Sequence, residues 1–316
     1  MYTIGIDLGG THIAVGVVDE NNNIVKKISA PTLAQRGPTE ITKDMAALSK
    51  RVCEEVGIDF FKDVQKIGIA SPGTVNPSTG KIEYANNIKM IDYPVVKEFS
   101  EFSGVDEDKI TIGNDANLAV YGEVVAGAAK GAETAVMITL GTGVGGGIIL
   151  NEKIWTGEQG VGGEIGHIHI REGEKEACNS GGHGCLEQVA SATGIAREAR
   201  RKMAAKPDAS VMRAYGDAIT AKNVLDAAKA GDALALEVMD TVCYYLGWAL
   251  ATISMTVDPE IFVIGGGVSK AGTFLTDWID RYYRELTPIS ENKGEVRLAT
   301  LGNDAGIYGA ARLILD

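Results

Sequence analysis

The sequence predicts an α/β protein with mixed sheets, built from two related halves. The main observation is a pattern that occurs twice, as IGIDLGGTHIAVGVV at residues 4–18 and as VMITLGTGVGGGIIL at residues 136–150. Each copy is an apolar β-type run, a turn of Gly and Thr, and a second apolar run. Helical patterns then alternate with short apolar strands, which indicates α/β layers. The chain has 316 residues, 45% of them hydrophobic, which suffices for one large or two ordinary domains with sizeable cores.

In the first half, strands are predicted over residues 2–8, 11–18 and 23–30, joined by short turns. A helix follows over about 38–57, opened by Pro38 and closed near Gly57. Strand 65–71 ends at the turn signal Pro72–Gly73. A helix over 94–103, a strand over 109–113 and a helix over about 116–127 complete this half.

The second half starts with two strands from about residue 134, followed by a polar, Gly-rich loop at 171–185. A long helical tract is predicted over roughly 186–257, then a strand at 260–264 and a helix near 269–285. A strand at 295–300 and a last helix near 304–315 close the chain. The apolar stretch Tyr244–Val257 is shorter than a bilayer span and carries polar residues, so we interpret it as a buried helix.

Composition excludes several classes of function. The formal net charge of −12 argues against nonspecific binding to DNA, RNA or anionic membranes, which needs basic patches. The four cysteines are too few and too scattered for a disulfide scaffold, which indicates a reducing compartment. The N-terminal residues have no signal-peptide pattern. We therefore expect a cytoplasmic protein with no nucleic-acid and no membrane partner.

The two Gly/Thr turns are candidate phosphate sites, because backbone N–H groups at such turns bind anions. In the first turn, the N–H groups of Gly9 and Gly10 and the hydroxyl of Thr11 are candidate phosphate donors, and Asp7 is a candidate ligand of a hydrated Mg²⁺. An ordinary hairpin turn is the alternative for this segment taken alone. The second turn, with Thr142 and Gly143, contains the spacing GxGxxG. A strand follows it where a dinucleotide-binding fold needs a helix, so that interpretation fails.

A third glycine cluster, Gly265–Gly267, lies between a predicted strand and a predicted helix. Glycines there would let a flat adenine or ribose lie against the backbone. On its own, a tight strand-to-helix turn is the simpler interpretation.

Asp115 is the candidate general base. It lies in the segment Gly113–Asn117, between a strand and a helix, where the helix dipole stabilises a carboxylate in its ionised form. A general base must be ionised to accept a proton. Capping is the common role of Asp and Asn at this place, but one cap needs one such residue and the segment supplies three.

Glu164 and His167 precede the cysteine loop, and Glu187 follows it. Side chains of these types beside Gly-rich turns suit hydrogen bonds to sugar hydroxyls, although surface charge and a buried histidine are the simple alternatives. His167, Cys178 and Cys185 also have zinc-ligand spacing, one ligand short of a closed structural site. His183 is a candidate fourth ligand, and an incomplete site is the other interpretation.

The chain resembles the ROK family of sugar kinases and repressors, and is most similar to its glucokinases. The resemblance spans nearly the whole chain and is carried by DLGGT at 7–11, GNDANLAVYGE at 113–123, LGTGVGGGI at 140–148, GEIGH at 163–167 and GCLE at 184–187. It implies a two-lobed actin-like/hexokinase-like (ribonuclease H-like) fold with a central cleft. The small α/β domain would comprise residues 1–115, joined by the C-terminal helix at about 303–316, and the large α/β domain residues 116–302.

The resemblance also implies roles for single residues. Asp115 matches the catalytic base, and Asp7 would support Mg²⁺. The positions that match sugar ligands are Asn87, Asn114, Glu164, His167 and Glu187, with Asn86 as the less favoured alternative to Asn87. The positions that match nucleotide contacts are Gly9, Gly10, Thr11, Thr142, Gly143 and Gly266.

Two positions depart from the family pattern. Ser180 stands where many relatives have a cysteine, which leaves the family's structural zinc open. His12 stands where relatives often have Lys, which leaves open whether this position makes a direct phosphate contact. The family's repressors carry an N-terminal DNA-binding segment, and this sequence begins at the first strand.

The function expected from these observations is ATP-dependent phosphorylation of a hexose, foremost glucose at its 6-hydroxyl, in a homodimer. Closure of the two lobes would exclude water from the reaction. The alternatives are a ROK kinase for N-acetylmannosamine, N-acetylglucosamine, fructose or allose, and a sugar-responsive regulator without catalysis. The sequence leaves open whether polyphosphate replaces ATP as the donor.

Overall fold

A computed structural model of the protein describes residues 1–313. Residues 314–316, which include the predicted end of the last helix, lie outside the described part. The described chain folds as two compact units. Unit 1 is Met1–Gly131 together with the chain from Thr300 onward, and unit 2 is Ala132–Ala299.

Unit 1 begins with three strands and then alternates helices and strands, close to the predicted order. Its elements before the chain leaves the unit are β1 (Tyr2–Leu8), β2 (His12–Asp19), β3 (Ile24–Pro31), α1 (Pro38–Val56), β4 (Val64–Ser71), β5 (Thr74–Asn76), β6 (Lys81–Ala85), β7 (Met90–Tyr93), α2 (Val95–Ser103), β8 (Ile110–Asn114) and α3 (Asp115–Ala126).

Unit 2 repeats the opening hairpin and adds more helix. Its elements are β9 (Ala135–Leu140), β10 (Val144–Leu150), β11 (Lys153–Ile154), α4 (Glu187–Ala190), α5 (Ala192–Ala205), α6 (Ala221–Lys229), α7 (Ala233–Val257), β12 (Ile261–Gly265), α8 (Thr273–Leu286) and β13 (Glu295–Leu298). The chain then returns to unit 1 as α9 (Ala305–Arg312).

The two main sheets have the same topology. The sheet of unit 1 has the order β3-β2-β1-β4-β8, and that of unit 2 has the order β11-β10-β9-β12-β13. In each sheet the first three strands pair antiparallel, and the remaining pairs are parallel. The repeated sequence pattern therefore marks equivalent hairpins in equivalent mixed sheets, which confirms the predicted fold class of an α/β protein with mixed sheets.

Helix α9 lies against the sheet of unit 1 over a row of glycines. Gly16, Gly5 and Gly68 are neighbours in register across β2, β1 and β4. A Cβ on Gly5 would lie 2.0 Å from the carbonyl oxygen of Ile307 in α9. Because glycine has no Cβ, these three positions leave room for the backbone of α9.

The predicted domain boundaries at residues 115 and 303 stay a prediction. The first segment of unit 1 extends to Gly131, beyond the predicted boundary at 115. Its second segment starts at Thr300, slightly before the predicted boundary at 303. The physical reason is that α3 packs on α9, where a Cβ on Gly309 would lie 1.8 Å from the carbonyl oxygen of Leu118. The helix after Asp115 thus belongs with unit 1.

The structure refines two sequence-based expectations about helices. The predicted helical tract 186–257 contains four α-helices, because Ser191, Thr220 and Asp232 cap new helices with their side chains. Helix α7 has 25 residues, so it is longer than the predicted apolar stretch, and by length and composition it could cross a membrane. Its buried residues belong to the core of unit 2, which supports the interpretation as a core helix.

A small antiparallel sheet of β5, β6 and β7 was not predicted. It precedes α2 and contributes Ile82 and Met90 to the core of unit 1.

Candidate active site

A buried threonine, Thr32, hydrogen-bonds to the turn between β1 and β2. The backbone N–H of Gly9 donates to the carbonyl of His12 at 2.9 Å, which closes the turn. The hydroxyl of Thr32 donates to the carbonyl of Gly9 at 2.6 Å, and the N–H of Thr32 donates to the carbonyl of Thr11 at 2.9 Å. Because Thr32 ties the turn carbonyls to β3, it orients the turn from the protein side. Its role was missed from the sequence.

Asn87 lies beside this turn. It belongs to the short 3₁₀ turn Asn86–Ile88 between β6 and β7. A Cβ on Gly10 would lie 3.4 Å from the Cβ of Asn87 and 3.5 Å from its Nδ2. The predicted sugar ligand Asn87 and the predicted phosphate turn are thus neighbours in unit 1.

Asn114 and Asp115 occupy the junction of β8 and α3. Asn114 is the N-cap of the helix, since its Oδ1 accepts the N–H groups of Ala116 at 3.0 Å and Asn117 at 3.2 Å. The Nδ2 of Asn114 donates to the carbonyl of Gly73 at 3.0 Å, which fixes the rotamer. Asp115 begins the helix and also accepts the N–H of Ala116, at 2.8 Å. The cap is therefore assigned to Asn114, and α3 does not need Asp115 for this purpose.

Two further carboxylates of unit 1 act electrostatically on Asp7. Burial, together with the negative charges of Asp115 and Asp304, raises the pKa of Asp7 from 3.8 to about 6. Asp304 lies just before α9 and pairs with Lys27. Like charges gathered in this way are stabilised by a cation, and carboxylates are the ligands that Mg²⁺ prefers. A divalent cation beside Asp7 would offset this negative charge. The part taken by Asp304, far away in sequence, was missed.

The equivalent turn in unit 2, between β9 and β10, is supported by a carboxylate. The N–H of Gly141 donates to the carbonyl of Gly143 at 2.9 Å. Glu187 accepts the N–H of Val144 at 3.2 Å through Oε2 and the amide of Asn179 at 3.1 Å through Oε1. The predicted sugar ligand Glu187 thus lies at the predicted phosphate turn, and a Cβ on Gly143 would lie 2.3 Å from its Oε2.

Two further contacts fix this turn. The hydroxyl of Thr193 donates to the carbonyl of Thr142 at 3.1 Å, and the N–H of Ala192 donates to the carbonyl of Gly141 at 2.8 Å. Because these carbonyls face the start of α5, the turn is anchored to that helix.

Gly266 follows β12 and adopts a φ of +84°, a left-handed conformation that favours glycine. A Cβ there would lie 2.5 Å from the carbonyl oxygen of Leu140, at the end of β9. Gly266 is therefore next to the strand that leads into the second turn, as expected for two parts of one nucleotide site.

His167, Cys178 and Cys185 form the predicted cluster of zinc-type ligands in unit 2. Their ligand atoms all lie within 4.8 Å of one another. The two Sγ atoms are 3.2 Å apart, and the Nδ1 of His167 is 3.9 Å from the Sγ of Cys178. Ligands about 2.0 to 2.3 Å from a tetrahedral zinc are roughly 3.3 to 3.8 Å from each other, so the cluster fits zinc.

Ser180, not His183, lies at the fourth corner of this cluster. The Oγ of Ser180 is 3.1 Å from both the Sγ of Cys178 and the Nδ1 of His167. The Nδ1 of His183 lies 3.2 Å from the carbonyl of Glu174 instead, which corrects the alternative that His183 is the fourth ligand. The other ring nitrogen of His167, Nε2, lies 3.8 Å from the carboxylate of Glu164.

The two thiols differ in acidity. Burial raises the pKa of Cys178, but hydrogen bonds with Ser180, Cys185 and His167 outweigh it and lower the pKa from 9.0 to about 6. Burial and the neighbouring Cys178 raise the pKa of Cys185 to about 11. Cys178 is therefore the more acidic of the two thiols.

The described structure gathers the candidate residues in two sets, one in each unit. The set of unit 1 is Asp7, Gly9, Gly10, Thr11, Asn87, Asn114 and Asp115, and the set of unit 2 is Thr142, Gly143, Glu164, His167, Glu187 and Gly266. In each set, a glycine turn that follows the first strand of a sheet lies beside side chains predicted to bind sugar.

Comparisons with known proteins show the family of this chain. A family model described as "ROK family" matches residues 3–316. The chain is 42% identical to a glucokinase of Halalkalibacterium halodurans, covering 99% of this chain and 94% of that protein. It is 35% identical to a glucokinase of Thermotoga maritima, covering 99% and 97%. It is 28% identical to an N-acetylmannosamine kinase of Shigella boydii, covering 99% and 98%.

Solved structures show the same likeness. A ROK hexokinase from Thermus thermophilus has a TM-score of 0.83 at 31% identity, covering 98% of this chain and 97% of that chain. A ROK family glucokinase from Streptomyces griseus, in complex with glucose and AMPPNP, has a TM-score of 0.77 at 34% identity, covering 98% of both. These likenesses confirm the hexokinase-like fold class.

Proposed function

The chain belongs to the ROK family, and we propose that it transfers the γ-phosphoryl group of ATP to the 6-hydroxyl of glucose. The observation that carries this proposal is the position of Asp115, at the start of α3 and relieved of capping by Asn114. The similarity to glucokinases over 99% of the chain supports glucose as the substrate.

In this reaction the carboxylate of Asp115 takes the proton of the sugar hydroxyl as its oxygen attacks the γ-phosphorus. The N–H groups of the two glycine turns bind the phosphate oxygens, with Gly10 and Thr11 in unit 1 and Thr142 and Gly143 in unit 2. Positioning and charge neutralisation, rather than covalent chemistry by the protein, supply most of the catalysis in phosphoryl transfer.

Asp7 would hold Mg²⁺ beside the phosphates, and Mg²⁺ when bound neutralises their charge. The fit rests on the raised pKa of Asp7 and on the neighbouring charges of Asp115 and Asp304. Gly266 leaves the backbone bare for the nucleoside, and the preceding strand β12 places it beside the second turn.

The sugar ligands in the proposal are Asn87, Asn114, Glu164, His167 and Glu187. Glu164 and His167 come from one short segment around the 3₁₀ turn Ile165–His167, which a close contact between Gly166 and Val144 packs against β10. Amide, imidazole and carboxylate groups together provide donors and acceptors, as polyhydroxylated sugars require.

The test is a coupled assay of ADP release over a panel of glucose, N-acetylmannosamine, N-acetylglucosamine, fructose and allose, with ATP and with polyphosphate as donors. We expect the highest kcat/KM for glucose with ATP. A higher value for an N-acetylated sugar would move the assignment to the activity named for the Shigella relative. Inactivity on every sugar would favour the sugar-responsive regulator.

Asp115→Asn tests the base directly. We expect kcat to fall by about 10² to 10⁴, the usual contribution of a general base, with glucose binding changed far less. The matched control is Asp232→Asn, which alters a carboxylate at the start of α7 in unit 2. Near-normal kcat in Asp115→Asn would refute the assignment.

For the cysteine cluster we propose a weak zinc site, because Ser180 supplies a neutral hydroxyl where a fourth thiolate would close the site. Elemental analysis of protein purified without chelators should give less than about half an equivalent of zinc per chain. A full equivalent would show that three strong ligands suffice.

We also propose a cytoplasmic homodimer. Tyr244, Trp248 and Met255 lie on one face of α7 and are 38%, 42% and 54% exposed, and their spacing places them on the same side of the helix. Light scattering should give twice the chain mass, and Trp248→Glu should give a monomer. A wild-type monomer would refute the proposal.

A further inference from the structure

Two cysteines of unit 2 lie close enough to form a disulfide. The Sγ atoms of Cys178 and Cys185 are 3.2 Å apart, and the S–S bond of a disulfide is about 2.05 Å long. An approach of about 1.1 Å is therefore sufficient to bond them. A tight turn holds Cys178 in place, because its N–H donates to the carbonyl of Gly182 at 2.6 Å and its carbonyl accepts the N–H of Gly181 at 2.9 Å.

The two thiols differ in their access to solvent. Cys178 is half-buried, whereas Cys185 is only 4% exposed. A Cβ on Gly182 would lie 3.1 Å from the Sγ of Cys185 and 3.5 Å from the Sγ of Cys178, so glycine keeps this side of both sulfurs free of a side chain. A small dissolved oxidant therefore reaches Cys178 first, and Cys185 lies beside it to complete the reaction.

Ser180 weakens the reaction that competes with oxidation. A thiolate is both the metal ligand and the nucleophile, so the same sulfur atoms either bind zinc or react. The neutral hydroxyl of Ser180 lies at the corner of the cluster where a further thiolate would hold the metal. The departure that weakens zinc binding thus leaves the cysteine pair in place and free to react.

We propose that Cys178 and Cys185 are a reversible modification site, at which a dissolved low-molecular-weight disulfide forms the Cys178–Cys185 disulfide. The Sγ of Cys178 attacks one sulfur of the small disulfide, whose S–S bond breaks and releases one thiolate. The Sγ of Cys185 then attacks the Sγ of Cys178, and the second small thiolate leaves with the electron pair of the broken bond. The protein thiols lose two electrons and two protons, which convert the small disulfide into two thiols. Such bonds in cytoplasmic proteins are usually transient and redox-sensing.

The disulfide also acts on two proposed sugar ligands, a consequence that rests on the proposed function. Asn179, which follows Cys178, donates to the Oε1 of Glu187 at 3.1 Å. The next residue, Ser180, has its Oγ 3.1 Å from the Nδ1 of His167. When the bond forms, Cys178 shifts and takes both neighbours with it, so the oxidised protein binds glucose less well.

The experiment treats reduced, chelator-washed protein with glutathione disulfide and measures peptide masses after digestion with trypsin. Both cysteines lie in the tryptic peptide 176–197. In the wild type this peptide should lose about 2 Da, and dithiothreitol should restore the mass. The matched control is Cys53→Ala, which removes a thiol in unit 1 that is 1% exposed. This variant should form the same bond.

Single variants separate the two steps. Cys185→Ser should accumulate a stable mixed disulfide with glutathione at Cys178, because no second thiol displaces it. Cys178→Ser should keep Cys185 as a thiol, because Cys185 is buried. Zinc at saturation should slow the oxidation of the wild type, and the oxidised protein should bind no zinc at the cluster in a chromophoric chelator competition.

The effect on sugar binding is measured as the glucose KM. Oxidation should raise the KM roughly threefold or more in the wild type and in Cys53→Ala, and should leave the KM of Cys178→Ser unchanged. An unchanged KM in fully oxidised wild type would refute the effect on sugar binding.

Peptide masses decide the modification site without any activity and without the variants. Reduced cysteines in wild-type peptide 176–197 after treatment, or a mixed disulfide that persists there, would overturn the site and leave the kinase assignment standing. A wild type that is inactive on every sugar would overturn the kinase assignment instead, and the masses would still show whether the bond forms.

Discussion

The contact between α9 and the glycine row of unit 1 makes a quantitative prediction. In Gly68→Ala, the new Cβ would lie 1.8 Å from the carbonyl oxygen of Ala310 and 2.5 Å from its carbonyl carbon. Ordinary contact begins at 3.4 Å, so the helix and the strand must separate by about 1.6 Å. The obstructing atoms are backbone atoms, and no side-chain rotation relieves the clash.

The magnitude follows from what α9 buries. Ile307 is fully buried, and Ala310 and Ala311 are nearly so. Releasing one isoleucine and two alanine methyl groups to water costs roughly 3 to 5 kcal/mol. A smaller lift that keeps the helix attached costs about 1 to 3 kcal/mol through overpacking. We therefore expect the free energy of unfolding of unit 1 to fall by about 3 kcal/mol.

The assay is urea denaturation followed by circular dichroism, combined with hydrogen exchange of the peptide that contains α9. The control is Gly267→Ala, because a Cβ there meets no atom within 4 Å. Gly68→Ala should also lower kcat, since Gly306 of α9 lies against the carboxylate of Asp7. A loss below about 1 kcal/mol with α9 still protected from exchange would refute the reasoning.

Two further predictions concern the loop between β11 and α4. Ser180→Cys should complete a four-ligand zinc site and tighten zinc binding roughly 100-fold in a chromophoric chelator competition, whereas His183→Cys should not. Glu174 makes a bidentate pair with Arg201, at 2.7 and 2.8 Å, and a hydrogen bond from Arg201 lowers the pKa of Glu174 from 4.5 to about 2. The pair therefore stabilises the fold fully above pH 4.5 and loses its effect as the pH falls toward 2. Glu174→Gln should lower the free energy of unfolding by about 2 kcal/mol at neutral pH. In urea titrations this difference from the wild type should vanish as the pH falls toward 2. A difference that stays constant with pH would contradict the assignment.

Much of the fold could be predicted because its strongest signals are local. Alternating apolar residues around a glycine turn specify a hairpin, and the same signal in two places indicated the two equivalent sheets. The short strands β5, β6 and β7 were not predicted, because they contain few buried residues and are too short to show a periodic pattern. The breaks in the tract 186–257 were visible in principle, since Ser191, Thr220 and Asp232 are cap-type residues.

The sequence indicated candidate site residues only where one short segment contains all the residues that act together. The glycine turns and the segment from Asn114 to Asp115 are of this kind. Thr32 and Asp304 act on partners far away in sequence, so no local pattern indicates them. Ser180 was indicated by the sequence, because many relatives of the family have a cysteine at this position. The structure places its hydroxyl beside the ligand cluster, 3.1 Å from the Nδ1 of His167.

The two glycine turns have different supports, and the difference has a functional consequence. In unit 1 the support is the neutral hydroxyl of Thr32, which donates to the carbonyl of Gly9 and engages no N–H group of the turn. In unit 2 the support is the carboxylate of Glu187, which accepts a turn N–H itself. A phosphate oxygen and this carboxylate would repel each other, so we expect the proposed sugar ligand Glu187 to leave the N–H of Val144 for a sugar hydroxyl when the second turn takes a phosphate. Sugar bound to Glu187 would then favour nucleotide binding at the turn beside it, and unit 2 would couple the two proposed substrates.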